Sequence, residues 1–160
     1  TIILRAVPGW LMLRNTGPDG PQLYATHFQP YLLGGPVRLE ATRTPYEIAF
    51  GYYKSGQYEK ALVWFESAPP THPDIDRIQL YTAISYLAQE KTVLALGALD
   101  TITARSDHPY RAHAAFYRIL YELQIGETDK AETQARAYLA AKYGFKEGSV
   151  RKILQELAPE

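Results

Sequence analysis

At 160 residues the chain has room for one domain with a substantial core, and not for two. Its 17 basic and 17 acidic side chains cancel, so no net field draws it to a phosphate backbone or an acidic bilayer, and nucleic acid is excluded as the expected partner. A hydrophobic share of 46% excludes a disordered chain, and the lack of cysteine excludes disulfides, thiolate nucleophiles and cysteine-bound zinc.

Residues 1–41 read as an irregular N-terminal segment of loops with one short helix. The chain begins at Thr1 and its only methionine is Met12, so further sequence is expected upstream. The apolar stretch Ile2 to Leu13 is too short to span a bilayer and is interrupted by Arg5 and Pro8, so no direct membrane insertion is expected of it. Gly17-Pro18-Asp19-Gly20-Pro21 and Gly34-Gly35-Pro36 are loop punctuation. Between them, Gln22 to Gln29 has the length of two helical turns before Pro30.

From residue 42 the chain repeats itself. Tyr52-Tyr53-Lys54-Ser55-Gly56-Gln57-Tyr58, with Ala61 and Leu62 after it, is echoed 34 residues later by Ser85-Tyr86-Leu87-Ala88-Gln89-Glu90-Lys91 with Ala95 and Leu96. A third copy, Leu123-Gln124-Ile125-Gly126-Glu127 with Ala131, follows after a further 36 residues. Apolar residues recur at helical spacing on both sides of each polar break, so each unit predicts two helices and a tight turn. In the first unit Ile48, Ala49 and Tyr52 are expected to line one face, then Ala61, Leu62, Phe65 and Ala68 another, with Gly56 ending the first helix. Thr71-His72-Pro73-Asp74 and Ser106-Asp107-His108-Pro109 are expected to supply a cap residue and a first-turn proline to the helices that follow. Ala49, Ala61, Ala83, Ala95 and Ala131 are small enough to let two helices cross closely. Ser149 followed by Val150, Ile153, Leu154 and Leu157 predicts a capped amphipathic helix, about 148–158, that covers the end of the stack.

These residues resemble the tetratricopeptide repeat family. The unit 42–75 fits its 34-residue pattern through Ile48-Ala49, Tyr52, Gly56, Tyr58, Ala61, Phe65, Ala68 and Pro73. The unit 76–111 keeps Ala83, Tyr86, Ala95 and Leu99 but has Glu90 where glycine is usual. The unit 112–145 keeps Gly126 and Ala131 but carries Arg118 and Glu122 where apolar residues are usual. The resemblance implies an all-α, right-handed solenoid of about three helix-turn-helix units over 42–160. The run Leu23-Tyr24-Ala25-Thr26-His27-Phe28-Gln29-Pro30-Tyr31 is similar to a segment of envelope-anchored tetratricopeptide proteins of Bacteroidetes-type bacteria. That likeness implies the periplasmic side of an upstream anchor; a cytoplasmic address is the alternative.

Catalysis finds no candidate in the sequence. His72 and His108 stand before prolines in turns, where turn structure and solvent exposure account for them. His27, His108 and His113 lack a metal-binding spacing, and no glycine-rich phosphate loop or serine elbow is present. No cofactor or metal is expected. Carried over by register, the resemblance implies a concave face formed by Arg43, Tyr46, Phe50, Tyr53 and Lys54, then Arg77, Leu80, Ile84 and Leu87, then His113, Phe116 and Leu120. Aromatic and arginine side chains dominate binding energy at protein interfaces, so the expected function is that of a non-catalytic scaffold or adaptor holding a peptide or protein partner there. Tyr46, Phe50, Tyr53, Arg77 and Phe116 are the strongest contact candidates. The competing expectation is that the N-terminal segment covers this stripe and makes it core. A self-associating structural module, or the regulatory part of a larger membrane-anchored protein, are the alternative roles.

Overall fold

The computed structural model describes residues 19–33 and 44–158, and among these the protein is all-α, with eight helices and no strand. They are α1 (Gly20–His27), α2 (Pro45–Lys54), α3 (Tyr58–Phe65), α4 (Ile75–Ala88), α5 (Thr92–Ala104), α6 (Arg111–Gln124), α7 (Thr128–Ala140) and α8 (Glu147–Leu157). Ile2 to Leu13, the Gly34-Gly35-Pro36 turn and Arg43 lie outside the described residues. None of the described helices is long and apolar enough to cross a membrane. From α2 onward each helix packs against the next one along the chain, and α4 also meets α6. Among the described helices α1 stands apart from this order: it lies against α6 and α8, far away in sequence.

The turns at Gly56, Glu90 and Gly126 show why the chain reverses at these points. All three residues are left-handed, with φ of 74°, 57° and 81°. Each also closes its helix with the same pair of bonds. The N–H groups of residues 56, 90 and 126 donate to the carbonyls of Tyr53, Leu87 and Leu123, and those of the following residues donate to Tyr52, Tyr86 and Glu122. This is the two-bond left-handed helix stop that satisfies carbonyls the helix itself leaves free. Glu90 therefore does the work of the two glycines while carrying a side chain that disfavours the conformation.

The five alanines assigned to helix contacts are all fully buried, as are Ala114 and Ala135 on α6 and α7. Val150 and Ile153 of α8 are buried too. Other local expectations are corrected. On α2 the buried stripe is Ala49 and Tyr53, while Ile48 is exposed and Tyr52 half-buried, because the Tyr53 side is the one that meets Phe65 of α3 and Tyr81 of α4. Thr71 and Ser106 cap nothing: α4 and α6 start at Ile75 and Arg111, two residues beyond the prolines, without a side-chain cap. In both turns the histidine orders the chain instead, His72 Nδ1 accepting the Asp74 N–H and His108 Nδ1 the Tyr110 N–H, each at 3.1 Å. His108 is buried rather than exposed, its Nε2 facing Gln79 and Asp76. Ser149 sits inside the first turn of α8, which begins after the left-handed Lys146.

Arg118 and Glu122, out of place in an apolar pattern, form an ion pair of 3.2 Å on α6. Gln134 of α7 donates to Glu122, and Asp100 of α5 reaches Arg118 at 3.4 Å. A polar cluster thus joins three helices where the repeat pattern puts hydrocarbon. Removing Arg118 would leave the buried Glu122 carboxylate without its counter-charge, so the pair is costly to break from that side.

Relief of the strain at Glu90 is the simplest check on the turn assignment. Glu90→Gly should stabilise the protein by about 0.5–1 kcal/mol, the left-handed penalty less the entropy that glycine adds to the unfolded chain. Thermal unfolding by circular dichroism should show Tm rise by roughly 1–4 °C, whereas a fall would mean that the turn does not need a left-handed residue.

Candidate functional site

Helices α2, α4 and α6 bring Tyr53, Tyr81 and Tyr117 to one groove, and the groove is occupied by residues 28–33. The chain arrives there through α1. Asp19 caps α1 by accepting the Gln22 N–H, and Pro21 suits its first turn. Gly20 lets α1 press on the end of α6: a Cβ at this position would lie 2.5 Å from the Leu123 carbonyl oxygen. Leu23 is buried, Tyr24 donates its hydroxyl to the Leu87 carbonyl at 3.2 Å, and His27 Nε2 meets Glu156 of α8 at 2.6 Å. Phe28 then leaves the helix in an extended conformation (φ −69°, ψ 117°), and Pro30 keeps Gln29 from returning to it.

Three tyrosine hydroxyls meet the main chain that follows. Tyr117 on α6 donates to the Gln29 carbonyl, Tyr53 on α2 donates to the Tyr31 carbonyl at 3.1 Å, and Tyr81 on α4 accepts the Leu33 N–H at 2.9 Å. Residues 29, 31 and 33 alternate as the same edge of an extended chain must. The intervening Pro30 has no N–H to leave unsatisfied. Side chains add to the hold: Phe28 packs edge-on to Tyr117 at 6.2 Å, and Tyr31 lies 4.4 Å from His113 and 5.5 Å from Phe145. Beneath them Tyr53 and Tyr81 stack in parallel at 4.3 Å. Burial raises the Tyr53, Tyr81 and Tyr117 hydroxyls above the usual phenol value, so all three stay neutral.

The residues expected on the concave face therefore divide. Tyr53, Leu80, Ile84, Leu87, Phe116 and Leu120 are buried, and of these Tyr53, together with Tyr81 and Tyr117, forms the floor that bonds the segment. His113 is half-buried, its ring 3.9 Å from that of Phe145. Tyr46, Phe50 and Arg77 remain half-exposed along a rim. There the Arg77 guanidinium lies 4.2 Å from the Phe50 ring, Arg77 pairs with Asp74 at 3.1 Å, and Tyr46 packs on His72 at 4.1 Å. Lys54 is exposed at the end of α2, and Arg43 lies outside the described residues. Tyr81 and Tyr117 were not anticipated as contact residues. The available signal was chemical: with 13 tyrosines against 5 phenylalanines, many buried rings carry a hydroxyl that must find a partner.

Among the described residues no three His, Asp or Glu side chains converge on a point that could hold a metal ion. The arrangement offers neutral hydroxyls, aromatic faces and the Arg77 guanidinium. No family model, curated protein or solved structure matches the chain. The class that fold and site define is an all-helical protein with an aromatic groove.

His113 links this groove to pH. Burial holds its pKa below the usual imidazole value, and its Nδ1 has no hydrogen-bond partner among the described residues. Burial likewise lowers His108, beside Asp76 and Arg105. In the window from about pH 6.5 down to the folded pKa, the unfolded chain binds more protons than the folded one, so stability falls as pH falls. Thermal melts between pH 7.5 and 5.5 should show this loss. His113→Phe should reduce it, leaving the part due to His108, and an unchanged pH slope would show that His113 is not the group responsible.

Proposed function

We propose that the chain is a tetratricopeptide-type solenoid acting as a non-catalytic scaffold or adaptor that holds an extended peptide or protein segment in the groove of α2, α4 and α6. The observation that carries the reading is the seating of residues 28–33. Contacts to main-chain atoms at alternate residues are what recognition of an extended peptide requires, and here the floor makes such contacts to a segment of the chain itself. The equivalent left-handed turns at 56, 90 and 126 and the alanine contacts support the repeat reading, as does packing of each helix from α2 to α8 on its neighbour. The bacterial-envelope address belongs to the same proposal, resting on the likeness of Leu23 to Tyr31 alone. Those residues also have a packing role that holds in any compartment.

The rim is where a partner can first touch the folded protein, because Tyr46, Phe50 and Arg77 are reachable with the segment in place. A photo-crosslinking residue introduced at Tyr46, in the source cell, should capture a discrete partner, and Phe50→Ser with Arg77→Glu should abolish the capture. The same probe at Leu94, an exposed position on α5, should capture nothing specific. Capture from Leu94 alone would move the binding face away from the groove.

A further inference from the structure

We propose that residues 19–33 are a tethered ligand: the groove is an acceptor for an extended peptide with an aromatic-x-Pro-aromatic core, and Phe28-Gln29-Pro30-Tyr31 occupies it until an external segment of that chemistry takes its place. The inference rests on the groove reading above and names the partner class and the regulation of that site.

Four observations separate this from a segment that is simply core. The first is that α2 to α8 pack in unbroken sequence order, and α1 is added from outside that order. Second, most of the segment is not deeply buried. Gly20 and Leu23 are, but Tyr24, His27, Phe28, Pro30, Tyr31 and Leu33 are half-buried and Leu32 is 54% exposed. Third, the hydroxyls read main-chain groups at residues 29, 31 and 33, which every extended peptide offers, while specificity falls to the aromatic seats for Phe28 and Tyr31 and to the missing N–H of Pro30. Fourth, the floor suits both states. A phenylalanine floor would expose bare hydrocarbon once the segment left, but the hydroxyls of Tyr53, Tyr81 and Tyr117 would be served by water.

Access is also provided. A polar cleft lined by Thr26, Gln29, Lys146 and Lys152 opens between the end of α1 and the start of α8, so a competitor can approach the segment from its outer edge. Tethering sets the threshold: an intramolecular ligand acts at an effective concentration on the order of millimolar. A free peptide of equal affinity is thus excluded unless the tethered copy is weakened or the competitor is better.

The test is replacement in trans. Gly20→Leu puts a side chain against the Leu123 carbonyl and unseats α1 of the full chain without touching any groove residue. A fluorescent peptide with the wild-type sequence of residues 19–33 should bind this variant at least about tenfold more tightly than it binds the wild type. A peptide with Phe28→Ala and Tyr31→Ala should lose that binding. If the variant keeps its helicity by circular dichroism yet binds the peptide no better than the wild type, the proposal is overturned. If the variant unfolds, hydrogen exchange on the wild type decides. Amides of α1 exchanging faster than those of α4 and α6 uphold a segment that opens by itself, and equal rates show that it leaves only on global unfolding and overturn the idea. No cellular partner enters this experiment, so its failure is distinct from a failure to capture one at the rim.

Discussion

A buried tyrosine must be dry along its ring and satisfied at its hydroxyl, and this double demand organises the molecule. Tyr53, Tyr81 and Tyr117 come from three different helices. The main chain of residues 29–33 supplies those partners. Each bond contributes about 1 kcal/mol net, but leaving such a group buried without a partner costs more. The position of the segment, the direction in which α1 approaches and the extended course after Phe28 all follow from where those hydroxyls point.

The helices that carry the tyrosines are held by simpler means. Left-handed stops at residues 56, 90 and 126 fold each pair back on itself, and alanines at the crossings let the pairs stack. Alanine cannot specify which helix sits where, so uniqueness comes from larger groups. The stacked Tyr53 and Tyr81 join α2 to α4, and the Arg118, Glu122 and Gln134 cluster joins α6 to α7. Such buried polar clusters stabilise little compared with hydrocarbon, yet they penalise any arrangement that separates their members.

Local rules made part of this legible in the sequence. Helical spacing, the turn at Gly56 and its two echoes, and the buried alanines depend on residues within a few positions of one another. The short helix before Pro30 and the terminal amphipathic helix were legible for the same reason. The helix starts were misplaced because histidine, rarely a turn-former, holds the two His-Pro turns through Nδ1, and a side-chain oxygen at Thr71 or Ser106 is not needed. The face of α2 was misjudged because which side meets Phe65 and Tyr81 is a tertiary fact. Above all, the stripe of α2, α4 and α6 could be read as aromatic, but whether it stood open depended on a segment up to 88 positions away, as Gln29 is from Tyr117. Periodicity is silent about contacts at that distance. Only the excess of tyrosine over phenylalanine hinted that the stripe had polar business to conduct.

Proton NMR in solution tests the seating of the segment most directly, by nuclear Overhauser contacts from aromatic rings at residues 28 and 31. The account predicts cross-peaks between Phe28 and Tyr117 and from Tyr31 to both His113 and Phe145, lost together when Gly20 is replaced by leucine. If those cross-peaks are absent from the folded wild-type protein, the groove is not filled by its own chain and the central claim is contradicted.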